Sequence, residues 1–137
     1  MRNAINILLI EDDADDIELL EDALKRNGIN FILTAINEGD RVSPYLKTLQ
    51  VLPDIIILDF NLPKLHGKDV LSNIKASARF KNIPLIVLTT SSLKEDILFA
   101  ENMGANHFIT KPTTLADFNK AVSVIAGTAT DSGVIAD

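Results

Sequence analysis

The stretch Pro53-Asp54-Ile55-Ile56-Ile57-Leu58-Asp59-Phe60-Asn61-Leu62-Pro63 limits the possible folds of this chain more than any other. Four consecutive aliphatic residues, three of them β-branched, run straight into an aspartate. A short continuous apolar run of this kind reads as a strand covered on both faces, the environment of a parallel sheet. Asp59 then falls where the strand ends. In open α/β sheets that carboxyl edge is where ligands bind.

The flanking chain supplies the cover. Ile5 to Ile10 reads as a first strand ending on Glu11-Asp12-Asp13, with Asp13 placed to cap the helix that follows. That helix, roughly Asp15 to Asn27, carries Ile17, Leu20 and Leu24 on one face. Asp15, Asp16 and Glu18 suit its positive N-terminus, Lys25 and Arg26 its negative end, and Gly28 its stop. Phe31 to Ile36 is a second strand. A helix over 40–49 has Val42, Leu46 and Leu49 as its apolar positions, and Pro44, about one turn inside, predicts a late start or a bend. After the Asp59 strand, a loop through Pro63 and Gly67 leads to a third helix burying Val70, Leu71 and Ile74. Pro84 opens a fourth strand, Leu85 to Leu88, ending on Thr89-Thr90-Ser91-Ser92. The fourth helix places Leu93, Ile97 and Ala100 at helical spacing and closes near Gly104. A short fifth strand, His107 to Ile109, runs into Thr110-Lys111-Pro112, and the last helix, Leu115 to Ala126, shows Leu115, Phe118, Val122 and Ile125 on one stripe.

Residues 1–126 therefore read as one domain, and the small, polar residues 127–137 as a flexible tail. Five strands alternating with five helices, joined by short right-handed connections, predict an α/β fold with a doubly wound five-stranded parallel sheet. The flavodoxin-like order 2-1-3-4-5 is the common arrangement.

Composition narrows the function. With 137 residues, 47% of them hydrophobic, the chain can bury a proper core. A net charge of −6 argues against a duplex nucleic-acid binder, which needs a basic face. Without cysteine there are no disulfides or thiolate metal sites. The N-terminus lacks the pattern of a signal peptide, and no apolar run approaches the about 20 residues that cross a bilayer. A cytoplasmic location is expected.

Chemically useful groups end four strands: Glu11 and Asp12, then Asp59, Thr89 and Lys111. In a parallel sheet these ends share one edge. Crowded carboxylates repel unless a cation or proton joins them. Hard oxygen donors with no His or Cys beside them suit Mg²⁺, which takes a few carboxylates plus waters and phosphate oxygens. Lys111 supplies a point charge for a phosphoryl oxygen, and Thr89 a hydroxyl. Asp59 is then either a metal ligand or a nucleophile, since aspartyl-phosphate chemistry fits a carboxylate beside Mg²⁺ and a lysine. Each group alone has an ordinary explanation, such as a helix cap, a β-forming threonine or a solvated turn. Their conjunction in chain order does not.

The segments Ile-Leu-Leu-Ile-Glu-Asp-Asp, Pro-Asp-Ile-Ile-Ile-Leu-Asp-Phe-Asn-Leu-Pro, Ile-Val-Leu-Thr-Thr-Ser and Phe-Ile-Thr-Lys-Pro resemble the response-regulator receiver (CheY-like) family of two-component signalling over about residues 5–126. The resemblance implies an aspartate, Asp59, that accepts a phosphoryl group from a histidine kinase with Mg²⁺. Asp12 would be the direct metal ligand, with Glu11 holding the metal or its water and the backbone carbonyl of Asn61 completing the protein ligands. Thr89 and Lys111 would bind the phosphoryl group, and Thr89 with Phe108 would form a switch read on the face of helix four, strand five and helix five. The resemblance also implies that Asn61 and Ser91, which flank the acceptor and the threonine, occupy positions that tune phosphoryl lifetime. Such a domain is no enzyme in the usual sense, but it catalyses its own phosphotransfer and dephosphorylation.

The expected partners are a sensor histidine kinase, or a phosphotransfer protein, and an unidentified downstream protein; a homodimer is left open, and neither nucleic acid nor a membrane is expected. No effector domain is expected after the last helix, and Thr-Thr-Ser-Ser with Leu115 and Phe118 resembles single-domain regulators paired with phytochrome-type kinases. Phe108 lacks a hydroxyl, His66 and His107 read as surface and strand residues, and position 11 is Glu in place of Asp. Two other readings compete. A Mg²⁺-dependent aspartyl phosphatase of the haloacid-dehalogenase type would want an aspartate at Asn61, and a phosphorylation-independent binding module would not need Asp59, Asp12 and Lys111 together. A flavodoxin would want a phosphate loop where acidic residues stand.

Overall fold

The computed structural model describes residues 4–130. Within them the strands are β1 (Ile5–Ile10), β2 (Phe31–Ile36), β3 (Ile55–Leu58), β4 (Leu85–Thr89) and β5 (His107–Thr110). They form a parallel sheet in the order β2-β1-β3-β4-β5. The helices are α1 (Ala14–Arg26), α2 (Val42–Thr48), α3 (Gly67–Ala76), α4 (Lys94–Asn102) and α5 (Leu115–Thr130), with a 3₁₀ turn at Gly39–Arg41 before α2. The doubly wound, flavodoxin-like fold is as the sequence predicts.

The continuous apolar runs follow from the period of two along a strand. Leu8, Ile10, Ile56, Leu58, Leu85 and Val87 pack on one face with Leu46 of α2 and Leu71 and Ile74 of α3. Their neighbours Ile7, Leu9, Ile55, Ile57, Ile86 and Leu88 pack on the other with Leu24 of α1 and Val122 and Ile125 of α5. Both faces are covered, so every residue of β3 is apolar and fully buried. The edge strands β2 and β5 each bury less.

Local chemistry sets the element ends. Asp13 caps α1 through Oδ1, which accepts from the Asp15 and Asp16 amides at 2.9 and 3.2 Å. Pro44 falls in the first turn of α2, where its missing N–H has no helical partner to lose. The predicted late start is present, with the 3₁₀ turn ahead of it and Leu49 half-buried just past the helix end. Gly67 opens α3 against the loop from Asp59: a Cβ there would lie 2.3 Å from Phe60 Cα and 2.4 Å from the Asp59 carbonyl oxygen.

Three expectations need correction. Leu93 does not join the buried side of α4; it caps the helix with extended backbone and is 58% exposed, and the buried positions are Asp96 and Ala100. Leu115 likewise stands on the exposed first turn of α5. The last helix does not stop at Ala126 but continues to Thr130, so 127–130 are not tail. Poor helix formers are held there because Ala129 buries against the sheet and Thr128 and Thr130 hydroxyls donate to the carbonyls of Val124 and Ala126. The remainder of the predicted tail, 131–137, lies outside the described residues. No helix among the described residues is long and apolar enough to cross a membrane.

Candidate functional site

Register brings the strand ends together. Ile10 pairs with Leu58, Leu58 with Val87, and Thr89 with Thr110, so the residues that follow share one edge. Backbone bonds fix them there: Glu11 N–H donates to the Ile36 carbonyl (2.9 Å), Asp59 N–H to that of Ile10 (3.0 Å) and Lys111 N–H to that of Thr89 (2.7 Å).

Glu11, Asp12 and Asp59 each offer a carboxylate oxygen, and these atoms lie within 4.8 Å of one another. Glu11 and Asp59 are buried, whereas Asp12 is open to solvent. Lys111 reaches across from β5, its Nζ 2.6 Å from Glu11 Oε1 and 2.9 Å from Asp59 Oδ2. The second oxygen of Glu11 accepts from the amides of Asp12 and Asp13 at 3.1 and 3.2 Å. The second oxygen of Asp59 accepts from the Asn61 amide at 3.0 Å. Burial pushes the Glu11 carboxyl up to about 7, and the charge of Asp59 adds to that while the Lys111 hydrogen bond opposes it. For Lys111, burial disfavours the ammonium, but hydrogen bonds to Asp16, Glu11 and Asp59 outweigh it and hold the group above the ordinary lysine range.

Asp16 belongs to this cluster as well. Its Oδ2 lies 2.6 Å from Lys111 Nζ. Along the chain it looks like helix-terminus charge only. The signal that could have found it is its position in the first turn of a helix leaving the same sheet edge. Three carboxylates on one ammonium, with Asp12 beside two of them, leave a local negative excess, and the donor set is all hard oxygen. The residues therefore fit a divalent cation. Asp12 is the carboxylate exposed to solvent, whereas both oxygens of Glu11 and of Asp59 already accept hydrogen bonds.

The remaining predicted positions are more dispersed. Thr89 is fully buried at the end of β4; its Oγ1 accepts from the Ser91 amide at 3.4 Å, and no bond joins it to Asp59 among the described residues. Asn61 is exposed, with its side-chain amide 3.3 Å from Thr90 Oγ1. Phe108 is half-buried, its ring centroid 6.0 Å from that of Phe60 in an edge-to-face pair, and Phe60 stacks similarly on Phe99 at 6.3 Å. His66 is exposed and caps α3, Nδ1 accepting from the Lys68 amide at 3.1 Å. Ser91 donates to the buried Asp96 carboxylate at 2.5 Å, and Lys68 of α3 pairs with the other oxygen at 2.5 Å.

Comparison with known proteins gives one consistent result. The family model described as response regulator receiver domain matches residues 7–123. Response regulator Rcp1 of Synechocystis sp. is 35% identical over 124 residues, covering 87% of this chain and 84% of that protein. Two crystal structures align closely. The phosphorylated cyanobacterial phytochrome response regulator RcpA has a TM-score of 0.81 at 32% identity over 90% of this chain and 92% of the other. The Mn²⁺-bound form of Rcp1 has a TM-score of 0.80 at 31% identity over 96% and 97%.

Proposed function

This chain belongs to the response regulator receiver domain family, and from that premise we propose that Asp59 accepts a phosphoryl group in a Mg²⁺-dependent reaction. The observation that carries the proposal is the buried Asp59 carboxylate with Lys111 Nζ at 2.9 Å on one side and Asp12 and Glu11 on the other. Three carboxylates within 4.8 Å of one another are more than the one ammonium neutralises, which supports a cation site beside the ion pair.

In the proposed reaction an Asp59 carboxylate oxygen attacks the phosphorus of a phosphohistidine. The P–N bond breaks, its electron pair stays on the imidazole, and an acyl phosphate forms. A bound Mg²⁺ would neutralise the oxygens of the transferring group; Asp12 would hold it directly, Glu11 through water, with the Asn61 backbone carbonyl and Asp59 as further ligands. Lys111 donates to a phosphoryl oxygen while keeping its strand-end position. The Asn61 amide holds the other Asp59 oxygen and so orients the attacking one. Asn61 itself has no acid to give a leaving group, which disfavours the aspartyl phosphatase reading.

Thr89 then turns its hydroxyl from the Ser91 amide to the phosphoryl group, and Phe108, already packed against Phe60 beside the acceptor, follows it inward. The face of α4, β5 and α5 carries the change to a downstream protein. A histidine kinase is the proposed phosphodonor, and the similarity to RcpA supports one of the phytochrome type. The Mn²⁺-bound state of Rcp1 supports a divalent ion at this edge. Incubation with acetyl phosphate, with and without Mg²⁺, tests the reading: intact mass should rise by one phosphoryl group only with Mg²⁺, and not at all in Asp59→Asn.

A further inference from the structure

A lysine ammonium has three donors and no acceptor. In this protein all three are taken, by Glu11 Oε1 at 2.6 Å, Asp16 Oδ2 at 2.6 Å and Asp59 Oδ2 at 2.9 Å from Lys111 Nζ. The three acceptors are not equivalent. Glu11 and Asp59 follow central strands, their side chains are 4% and 5% exposed, and backbone amides also donate to each. Asp16 sits in the first turn of α1 with a side chain 33% exposed, and Lys111 is the side chain bonded to it. Its carboxylate can turn into water at little desolvation cost. The other two cannot.

Resting on the phosphoacceptor reading above, we infer that Asp16 is a positioning residue that holds one donor of Lys111 in the unphosphorylated protein and competes with the phosphoryl group for it. A phosphoryl group brings up to about two negative charges and three acceptor oxygens. Lys111 can pass its Asp59 donor to one of those oxygens without leaving Asp16. A second donor becomes available only when Asp16 lets go. While Asp16 keeps its share, the phosphoryl group receives one ammonium donor instead of two, and a fixed negative charge remains beside it. Decay is slowed correspondingly, because ammonium donors on the phosphoryl oxygens stabilise the transfer to water: in that step water attacks phosphorus, the P–O bond to the carboxyl breaks, Asp59 leaves as carboxylate with the bonding pair, inorganic phosphate departs with the water's protons, and Lys111 regains its three carboxylates. Asp16 thus lengthens the phosphoryl lifetime through Lys111, without touching the reacting atoms.

The test compares wild type, Asp16→Asn and Asp16→Glu after loading with acetyl phosphate and Mg²⁺, following intact mass once the donor is removed. Asn keeps the shape and loses the charge, whereas Glu keeps the charge. The Asp16→Asn adduct should decay faster by on the order of three- to tenfold, the scale of one ordinary hydrogen bond, and Asp16→Glu should keep decay close to wild type. Unchanged or slower decay in Asp16→Asn, or an equal change in Asp16→Glu, overturns the competition and leaves Asp16 as a packing contact between α1 and Lys111. A wild type that takes no phosphoryl group removes the phosphoacceptor reading and this inference with it. Wild-type loading with unaltered Asp16→Asn decay removes only the inference.

Discussion

Lys111 Nζ lies 2.9 Å from Asp59 Oδ2, across 52 positions of sequence and from a strand two places away in the sheet. The contact exists because parallel register aligns the ends of β3, β4 and β5, and it couples the proposed acceptor to the group that would hold its phosphate. Removing the ammonium leaves Glu11 and Asp59 buried and facing each other without a cation. Lys111→Ala should therefore lose about 3 kcal/mol of stability in the absence of divalent ions, the scale of a broken buried pair. Mg²⁺ should recover much of the loss, because Asp12, Glu11 and Asp59 remain. Thermal melting with EDTA and with Mg²⁺ checks this, and equal losses in both would mean that the carboxylates do not share a cation site. The same variant, once phosphorylated, should fail to change its partner binding.

Asp96 supports the segment after Thr89. The Lys68 ammonium and then the Ser91 hydroxyl hold its carboxyl below the usual aspartate value, outweighing its burial. A lowered folded value means that the ionised form is favoured by folding. The contribution is fully present above the unfolded value near 3.8 and is lost as pH falls through the folded one. Asp96→Asn should be destabilised by about 1–2 kcal/mol at pH 7 and should lose less stability than wild type on acidification below pH 4. Urea unfolding at a series of pH values measures both, and parallel acid limbs would contradict the assignment.

Gly67 is required by contact. Its missing Cβ would meet backbone atoms of Asp59 and Phe60 at 2.4 and 2.3 Å, which cannot move without moving the acceptor loop. Gly67→Ala should cost about 2–3 kcal/mol and slow phosphorylation from acetyl phosphate. A variant that melts normally but phosphorylates slowly would still support the loop's role; one unchanged in both would refute it.

The sheet was legible because residues 7–10 of β1, all of β3 and residues 85–88 of β4 are covered on both faces, so burial writes itself into the chain as uninterrupted Ile, Leu and Val. The strand-end residues were legible for a related reason: parallel strands must end on one edge, and Glu11, Asp12, Asp59, Thr89 and Lys111 interrupt or follow apolar runs. Helix burial was less so. Leu93 and Leu115 fit an apolar spacing, but each falls at a helix N-terminus where its side chain stays exposed, so the spacing continues where the cover does not. Asp96 hides the opposite way, a charge made burial-tolerant by Lys68 and Ser91 from distant or non-helical positions. Asp16 has two roles that look the same in sequence, since an acidic first turn satisfies the helix dipole whether or not a lysine stands opposite. The extension of α5 depends on Ala129 finding the sheet, which local propensity opposes.

The central claim is that Asp59 is the acceptor, and borohydride reduction after phosphorylation locates the acyl phosphate residue by residue. The protein is loaded with acetyl phosphate and Mg²⁺, reduced, digested and sequenced by mass spectrometry. The account predicts homoserine at position 59 and nowhere else among the carboxylates of the cluster. Homoserine at position 12 or 16, 2-amino-5-hydroxypentanoic acid at position 11, or phosphoryl loading that leaves every aspartate unreduced, would contradict it.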